Sequence, residues 1–344
     1  MEESPLSERE LLIDYLIGLR LDRARSFLQL AKLSPYGNRA DLRERLQEAL
    51  DRGRIDTDSL ILFLDEVEPW GKQHVFVYDP PTRLPSGWEN PGAVRQELLR
   101  SGLGELIDKP LPLALPEELA ISSVRVDDRA LWILAVERRD HVERVETLDP
   151  PAQQLVDGRF VEYRAYQRVV TRGIVLFRWD MVGRSATLHL SQGTTSYSYD
   201  EAEERFQRLV GGVMPIDRFD RRDLRPAIRR LYDQEVAGDG EVRSHRFRYR
   251  SALGRDVDIA SPTAAESVLG ESFIDQALSL VASRSAGRIG NFYWLAGTGP
   301  VPGSNPIPRE QHIVVLGEEG RVHFMTASSE DIVSYVLQRL QALS

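Results

Sequence analysis

Cysteine is absent from the 344-residue chain, so the fold holds no disulfide bond and no thiolate metal site. Lysine is almost absent too, since only Lys32, Lys72 and Lys109 stand among the 44 basic residues. This bias is typical of proteins from G+C-rich bacterial genomes. It also suits phosphate binding, because the planar guanidinium group of arginine matches a phosphate. Composition alone does not separate the two explanations.

The sequence also lacks long apolar runs and a targeting segment. No stretch approaches the roughly 20 consecutive apolar residues that a membrane-spanning helix needs. The first residues, Met-Glu-Glu-Ser-Pro, are acidic and do not resemble a signal peptide. We therefore expect a cytoplasmic protein with no membrane association.

Motifs of the common enzyme classes are missing as well. The chain contains no Gly-rich phosphate loop followed by Lys-Ser or Lys-Thr, no His-Glu-x-x-His and no Gly-x-Ser-x-Gly. The histidines are scattered, and three lysines leave little material for a carboxylate–lysine nuclease site. We therefore expect no catalytic residue, no metal and no cofactor. A nuclease-type enzyme whose site is not recognisable in the sequence is an alternative.

Length and charge limit what the chain can be. A chain of 344 residues predicts two or three domains with ample material for a core. The net charge is −9, so the whole molecule is not a simple polycation. Any contact with nucleic acid must therefore come from a local basic patch.

Helical periodicity dominates the N-terminal part of the chain. Residues 6–18 predict one helix, and residues 19–54 predict two amphipathic helices joined by a turn at Pro35-Tyr36-Gly37. A fourth helix is expected from Asp56 to Glu68, because a proline follows it. Together they predict an all-helical domain over residues 1–70.

The turn and the start of the next helix carry a pattern of their own. It reads Gly37-Asn38-Arg39-Ala40-Asp41-Leu42-Arg43-Glu44-Arg45-Leu46. A loop glycine is followed by a basic residue, an alanine, an acidic residue, a leucine and an Arg-Leu pair one turn later. Residues 19–54 thereby resemble the SAP domain, a small DNA-binding module of two helices joined by an extended loop.

The resemblance implies contact with double-stranded DNA at the loop and at the first turn of the second helix. Free N–H groups and the helix dipole favour phosphate there. With two arginines of the same basic patch, the implied DNA-binding residues are Arg20, Arg25, Gly37, Asn38, Arg39 and Arg43. So small a footprint implies weak, salt-sensitive binding without strong sequence specificity. The alternative is a generic helical hairpin that caps a larger domain.

Beyond the helices the pattern changes. Residues 71–118 are rich in proline and contain one predicted strand and one predicted helix, which indicates a connector. From residue 119 onward, short strands separated by turns follow each other in hairpins, with helices between them. We therefore predict an α+β fold, in which residues 119–344 form a body with a mostly antiparallel sheet and flanking helices.

A second concentration of basic residues lies in this body. Between residues 218 and 255, eleven arginines face six acidic residues, a local excess of +5. Arg246, Arg248 and Arg250 alternate along one predicted strand, about 7 Å apart, and can therefore follow a phosphate backbone. The alternatives are a solvated strand face, where the arginines pair with neighbouring carboxylates, and a protein interface.

The order of elements resembles the centromere protein N family of the kinetochore. That family has a helical domain of pyrin type, then a mixed sheet domain that binds a partner and DNA. The comparable stretches are Leu60-Ile-Leu-Phe-Leu-Asp65 and Ala130-Leu-Trp-Ile-Leu-Ala135. We expect a non-catalytic DNA-binding adaptor whose body binds a partner protein or a second copy of the chain. The alternative is an interaction subunit of a larger complex, centromere protein N-like or of a phage-defence type, with no DNA contact of its own.

Overall fold

The structure is a computed structural model. It describes residues 8–18, 21–84, 87–110, 115–145, 154–156, 159–161, 163–194, 197–250, 254–284, 286–300 and 303–344. Its helices are α1 Glu8–Gly18, α2 Leu21–Leu30, α3 Arg39–Asp51, α4 Thr57–Val67, α5 Pro91–Arg100, α6 Tyr199–Val210, α7 Arg225–Val236, α8 Ser272–Arg284 and α9 Glu330–Leu343. Its strands are β1 Gln73–Asp79, β2 Ala120–Val126, β3 Ala130–Arg144, β4 Gln154–Val156, β5 Arg159–Val161, β6 Tyr166–Asp180, β7 Ser185–Ser191, β8 Asp220–Arg221, β9 Val242–Arg250, β10 Asp256–Ala260, β11 Ala286–Trp294, β12 Gln311–Leu316 and β13 Arg321–Phe324.

Four helices form the N-terminal domain, as the apolar periodicity predicts. Their apolar faces meet in a core of their own, in which Leu16, Leu28, Leu42, Leu46 and Leu60 are fully buried. Each of these leucines lies on the predicted apolar stripe of its helix, so burial of the stripes holds α1 to α4 together. The polar faces of the helices remain in water.

The body is built on one large sheet. Its strands lie in the order β10-β9-β11-β12-β13-β1-β7-β6-β3-β2, with the short β8 beside β1. The neighbouring strands described here pair antiparallel. A separate pair, β4 and β5, forms a two-stranded sheet. The α+β class with a mostly antiparallel sheet is therefore confirmed.

Strand β1 lies in the middle of this sheet, between β13 and β7. Its side chains alternate between the two faces: Val75 and Val77 join one core, whereas Phe76 and Tyr78 join the other. All four are fully buried. The sheet therefore begins at Gln73, inside the segment 71–118 that the proline content indicated as a connector, and not at residue 119.

Helices cover both faces of the sheet. On one face, α7 and α9 pack Leu231 and Val333 against aromatic residues of the strands. On the other face, α5 and α6 pack Leu98 and Phe206 against the half that contains β1, β7, β6 and β3. Among the described helices, none combines the length and the apolar character that crossing a bilayer requires.

The helical domain is fastened to the body by buried polar contacts. Arg172 of β6 forms an ion pair with Glu68 at 3.0 Å, and the two side chains are only 4% and 2% exposed. Tyr15 of α1 donates a hydrogen bond to the same carboxylate. Arg23 of α2 donates to the backbone carbonyl of Trp70 at 2.8 Å. These contacts fix the orientation of α4 on the sheet.

Candidate nucleic-acid interface

The turn before α3 is built by its own side chains. Gly37 has φ +129°, and a Cβ atom added there would lie 2.7 Å from the Cβ of Asp41, so glycine is required. Asn38 caps α3: its Oδ1 accepts from the N–H groups of Ala40 at 2.8 Å and Asp41 at 3.1 Å. Asp41 in turn accepts from the N–H of Asn38 at 2.8 Å, which completes a capping box.

This capping box changes the electrostatics of the predicted DNA contact. The N–H groups that a phosphate would bind already donate to Asn38, and the carboxylate of Asp41 sits at the positive end of the helix dipole. Gly37 and Asn38 therefore have structural roles that explain their presence without a ligand. These three N–H groups at the start of α3, of Asn38, Ala40 and Asp41, thus already have acceptors within the capping box.

The arginines assigned to this region also have intramolecular partners. Arg25 donates to the carbonyl of Gly37 at 3.2 Å, and Arg39 donates to the carbonyl of Ile17 at 3.0 Å. Arg43 pairs with Asp14 at 2.7 Å, with both side chains well exposed. Arg20 lies outside the described residues. An exposed pair such as Arg43–Asp14 contributes little to stability, so its arginine can exchange partners.

A different group of cations in the same hairpin lines a groove. The groove measures about 310 Å³ and lies where the C-terminal ends of α2 and α3 meet. We call it the basic groove, because four cations line it: Lys32, Arg45, Arg52 and Arg54. Glu48 is the one carboxylate that lines it.

The basic groove owes its shape to two helix ends. Lys32 follows α2 with φ +56°, and Gly53 follows α3 with φ +64°, so both helices close with a left-handed residue. Arg45 donates to the carbonyls of Ser34 and Tyr36, each at 2.8 Å, and thereby holds the loop against α3. The loop and the two helix ends form its walls.

Free cations and an exposed ring distinguish this groove. Lys32 and Arg54 are exposed and have no side-chain partner among the described residues. Within the described part of the chain, Arg52 pairs with Glu48 alone, at 2.5 Å, and both side chains are more than half exposed. Tyr36 on the adjoining loop is 80% exposed. The arrangement offers guanidinium and ammonium groups to phosphate oxygens, with an aromatic ring beside them.

Each of the alternating arginines of β9 pairs with a carboxylate of the next strand, although one of the two carboxylates is shared. Arg246 makes two hydrogen bonds to Asp258 of β10, one from Nε at 2.7 Å, and Arg248 donates to the same carboxylate at 3.1 Å. Arg250 pairs with Asp256 at 3.2 Å. The hydrogen bond from Arg246 lowers the pKa of Asp258 to about 2, so this carboxylate stays ionised. The three arginines are brought together on one face, but with two carboxylates among them.

The same pairing extends to α7. Arg225 makes a bidentate contact with Asp223, and Arg229 pairs with Asp233 one helical turn later at 3.0 Å. Arg243 makes a bidentate pair with Glu310, with both contacts at 2.7 Å. Asp223 and Asp233 are already counted in the excess of +5 along residues 218–255, so the further balance comes from Glu310, Asp256 and Asp258, which lie outside that segment.

Sequence reasoning singled out the start of α3 and overlooked its end. The sequence contains a signal that could have located the basic groove. Basic residues closely follow both apolar helical stripes, Lys32 after the first and Arg52-Gly53-Arg54 after the second. Cations at helix C-termini are also stabilised by the helix dipole, which is the structural explanation for their placement. Among the described residues, no group of three or more His, Asp or Glu side chains is arranged to hold a metal ion.

Comparisons with known proteins do not add to this geometry. No protein-family model matches the chain, and no curated protein matches its sequence.

Proposed function

We propose that the protein is a non-catalytic DNA-binding adaptor. The helical domain holds the phosphate backbone of a DNA duplex in the basic groove, and the sheet body binds a partner protein. The observation that carries the proposal is the groove, where four cations face one carboxylate and two of the cations have no side-chain partner in the described part of the chain. The SAP-like pattern of residues 37–46 supports a duplex as the polyanion.

The size of the groove sets the expected strength of binding. Four phosphate contacts correspond to a slope of about −3.6 when log K is plotted against log salt concentration. The proposal assigns only phosphate contacts to the groove, and phosphate contacts carry no sequence information directly, so it includes no sequence preference. Phosphate contact of this kind tethers the protein and leaves recognition to the partner.

A second candidate function is an interaction subunit with no DNA contact. The observation that favours it is the pairing of the β9 arginines with Asp256 and Asp258, two carboxylates that offset two of the three positive charges on that face. On this reading the cations of the groove only stabilise the ends of α2 and α3.

A salt titration of duplex binding tests the proposal. We would measure the dissociation constant of a labelled duplex of random sequence from low to physiological salt. The double variant Lys32→Asn/Arg54→Gln removes the two unpaired cations, and asparagine tolerates the positive φ at position 32. Its salt slope is expected to fall by about 2, uniformly across duplex sequences.

Two matched variants make the outcome specific. Arg43→Gln removes an arginine of the same domain that is paired with Asp14, and Arg248→Gln removes one that is paired with Asp258. Combined in one double variant, these two substitutions remove as many cations as the groove variant and should change the slope by less than it does. Absence of binding at low salt, or an unchanged slope in Lys32→Asn/Arg54→Gln, would reject the DNA proposal and favour the second candidate.

A further inference from the structure

A cleft of about 800 Å³ lies between α4 and the sheet. Its floor is apolar and comes from β3 and β6, which contribute Trp132, Leu134 and Leu176. Its helical wall includes Ile61 and Leu62 of α4. A cleft of this size falls within the range of ordinary ligand and peptide sites.

One apolar side chain at this cleft is left in water. Leu62 is 66% exposed, although its neighbours Leu60, Phe63 and Leu64 are buried in the core of the helical domain. The leucine therefore lies off the apolar stripe that α4 buries against the other helices. An exposed apolar side chain beside an apolar floor marks a surface that another molecule can cover.

The rim of the cleft is strongly acidic. Two cations, Lys109 and Arg125, face five carboxylates that line the same cleft, namely Asp58, Asp65, Glu66, Asp108 and Glu330. Of these carboxylates, Asp58, Glu66 and Glu330 have no ion pair among the described residues.

Both cations of the rim already have partners. The guanidinium of Arg125 lies 4.1 Å from the centre of the Trp132 ring, and Lys109 is within 3.6 Å of Glu105. The cleft thus presents unpaired negative charge around an apolar floor. Trp132 adds an unmet hydrogen bond, because its buried indole Nε1 has no acceptor in the described structure.

The walls of the cleft are held in place before any ligand arrives. Arg172 and Glu68 join β6 to the end of α4, and Arg23 ties α2 to the carbonyls of Trp70 and Ser328. A preformed cleft loses little conformational entropy on binding, which favours affinity.

We propose that this cleft binds a basic amphipathic segment of a partner protein. Leucine-like side chains of the segment cover Leu62 and the floor around Trp132, while its lysines or arginines face Asp58, Glu66 and Glu330. Charge complementarity selects this occupant, since an acidic segment would meet five carboxylates. The inference rests on the partner-binding half of the proposed function and does not depend on the basic groove.

A peptide titration on the full-length protein tests the inference. The probe is a labelled helical peptide of about 18 residues with leucines on one face and lysines on the other, and the comparison peptide has glutamate in place of lysine. Anisotropy should show binding of the lysine peptide only. The double variant Asp58→Lys/Glu66→Lys should weaken it by about tenfold or more, and Leu62→Ser by about threefold to tenfold.

The control reverses the same number of charges elsewhere. Glu204 and Asp217 are exposed and have no partner among the described residues, so Glu204→Lys/Asp217→Lys should leave peptide affinity within about twofold of the parent protein. Equal losses in both double variants, or no peptide binding at all, would overturn the inference.

The two proposals fail separately. DNA binding by Leu62→Ser should equal that of the parent protein, because the basic groove is untouched. Loss of peptide binding with intact DNA binding therefore concerns the cleft alone. Binding of the peptide with no DNA binding would leave the cleft standing and reject the adaptor role.

Discussion

Two regions of similar charge in the sequence become different surfaces in the fold. Residues 15–54 hold nine basic and five acidic residues, an excess of +4, and residues 218–255 have an excess of +5. In the helical hairpin, Lys32 and Arg54 at the basic groove have no side-chain partner among the residues that the structure describes. On β9, the three alternating arginines are all bound to carboxylates of β10. Charge counted along the chain therefore does not give the charge of the surface.

The cause of the difference is the neighbouring element. In an antiparallel pair, side chains directly opposite each other meet, and here Arg248 faces Asp258 while Arg250 faces Asp256. A helix end has no such facing partner. Among the described residues that line the basic groove, Glu48 is the one carboxylate, and it pairs with Arg52. Exposed arginine on a helix end is thus freer for a ligand than arginine within a sheet.

The largest difference in stability is expected between a variant that breaks a buried ion pair of the body and one that breaks an exposed ion pair of the helical domain. Glu241 is 3% exposed and is held by Arg339, with contacts of 2.7 and 2.9 Å, and by the hydroxyl of Tyr335. Glu241→Gln leaves Arg339, whose side chain is 18% exposed, without its buried counter-charge, so the free energy of unfolding should fall by about 3 kcal/mol. Urea unfolding followed by tryptophan fluorescence measures it.

The matched control for this prediction is Glu48→Gln in the helical domain. It removes the pair with Arg52, whose side chains are 58% and 51% exposed, and should change the unfolding free energy by less than about 0.5 kcal/mol. A loss of similar size in the two variants would contradict the contrast between body and hairpin.

Lowering the pH should destabilise the body through its buried histidines, an effect that the helical domain lacks the histidines to show. The ring of His74 stacks on that of His323, with 3.8 Å between the ring centres, and its centre lies 3.7 Å from that of the Tyr199 ring. His189 is hydrogen-bonded to Gln73 and Thr187. Burial lowers the pKa of His74 and of His189 to about 3, with additional effects of His323 and Arg321 on His74 and of Arg178 on His189. All these groups belong to the body. No histidine precedes His74 in the sequence.

A lowered histidine pKa has a definite sign for stability. Between the folded pKa and the unfolded value near 6.5, the unfolded chain binds a proton that the folded chain does not bind. Stability should therefore fall as pH drops below about 6.5, by about 1.4 kcal/mol per pH unit for each such histidine. His74→Asn and His189→Asn should each make the dependence shallower. Denaturation between pH 7 and 5 measures the slope, and a flat profile would show that these histidines ionise in place.

A smaller effect is expected at the cap of α3. Asn38→Ala removes the two hydrogen bonds to the N–H groups of Ala40 and Asp41, at a cost of about 1 kcal/mol of stability. DNA binding by the folded variant should stay within about twofold, because the basic groove lies at the opposite end of α3. A loss of DNA affinity without a loss of stability would contradict this prediction and indicate that DNA binds at the start of α3.

The sequence is a good guide to the elements and a poor guide to their partners. The helices α1 to α4 and the terminal helix α9 follow from apolar periodicity, and the hairpins of the body follow from alternation and turns. Periodicity is a local property, so it can be read in one dimension. The antiparallel character of the sheet follows for the same reason, since hairpins join neighbours along the chain.

What could not be predicted depends on contacts that are distant in sequence. The prolines around β1 favoured a connector, yet β1 is the central strand, because its partners β13 and β7 are supplied by later parts of the chain. Arg172 and Glu68 likewise pair across a separation of 104 positions, and the cleft beside α4 joins residues that range from Asp58 to Glu330. In the candidate site, the positions of the arginines can be read from the sequence, but the sequence does not show which carboxylates pair with them in the fold.

The smallest effect tests the comparison most directly, because it makes β9 resemble the basic groove. Asp258 binds Arg246 and Arg248 together, so Asp258→Asn removes one negative charge and frees two guanidinium groups on an exposed strand face. If both then reach phosphates, the slope of log K against log salt steepens by about 1 to 2, and affinity at low salt rises. Asp239→Asn makes the same change of net charge without freeing an arginine, since its side chain has no partner in the described structure. A gain in Asp258→Asn alone would show that pairing, and not position, keeps the strand from DNA, whereas equal gains would assign the effect to net charge.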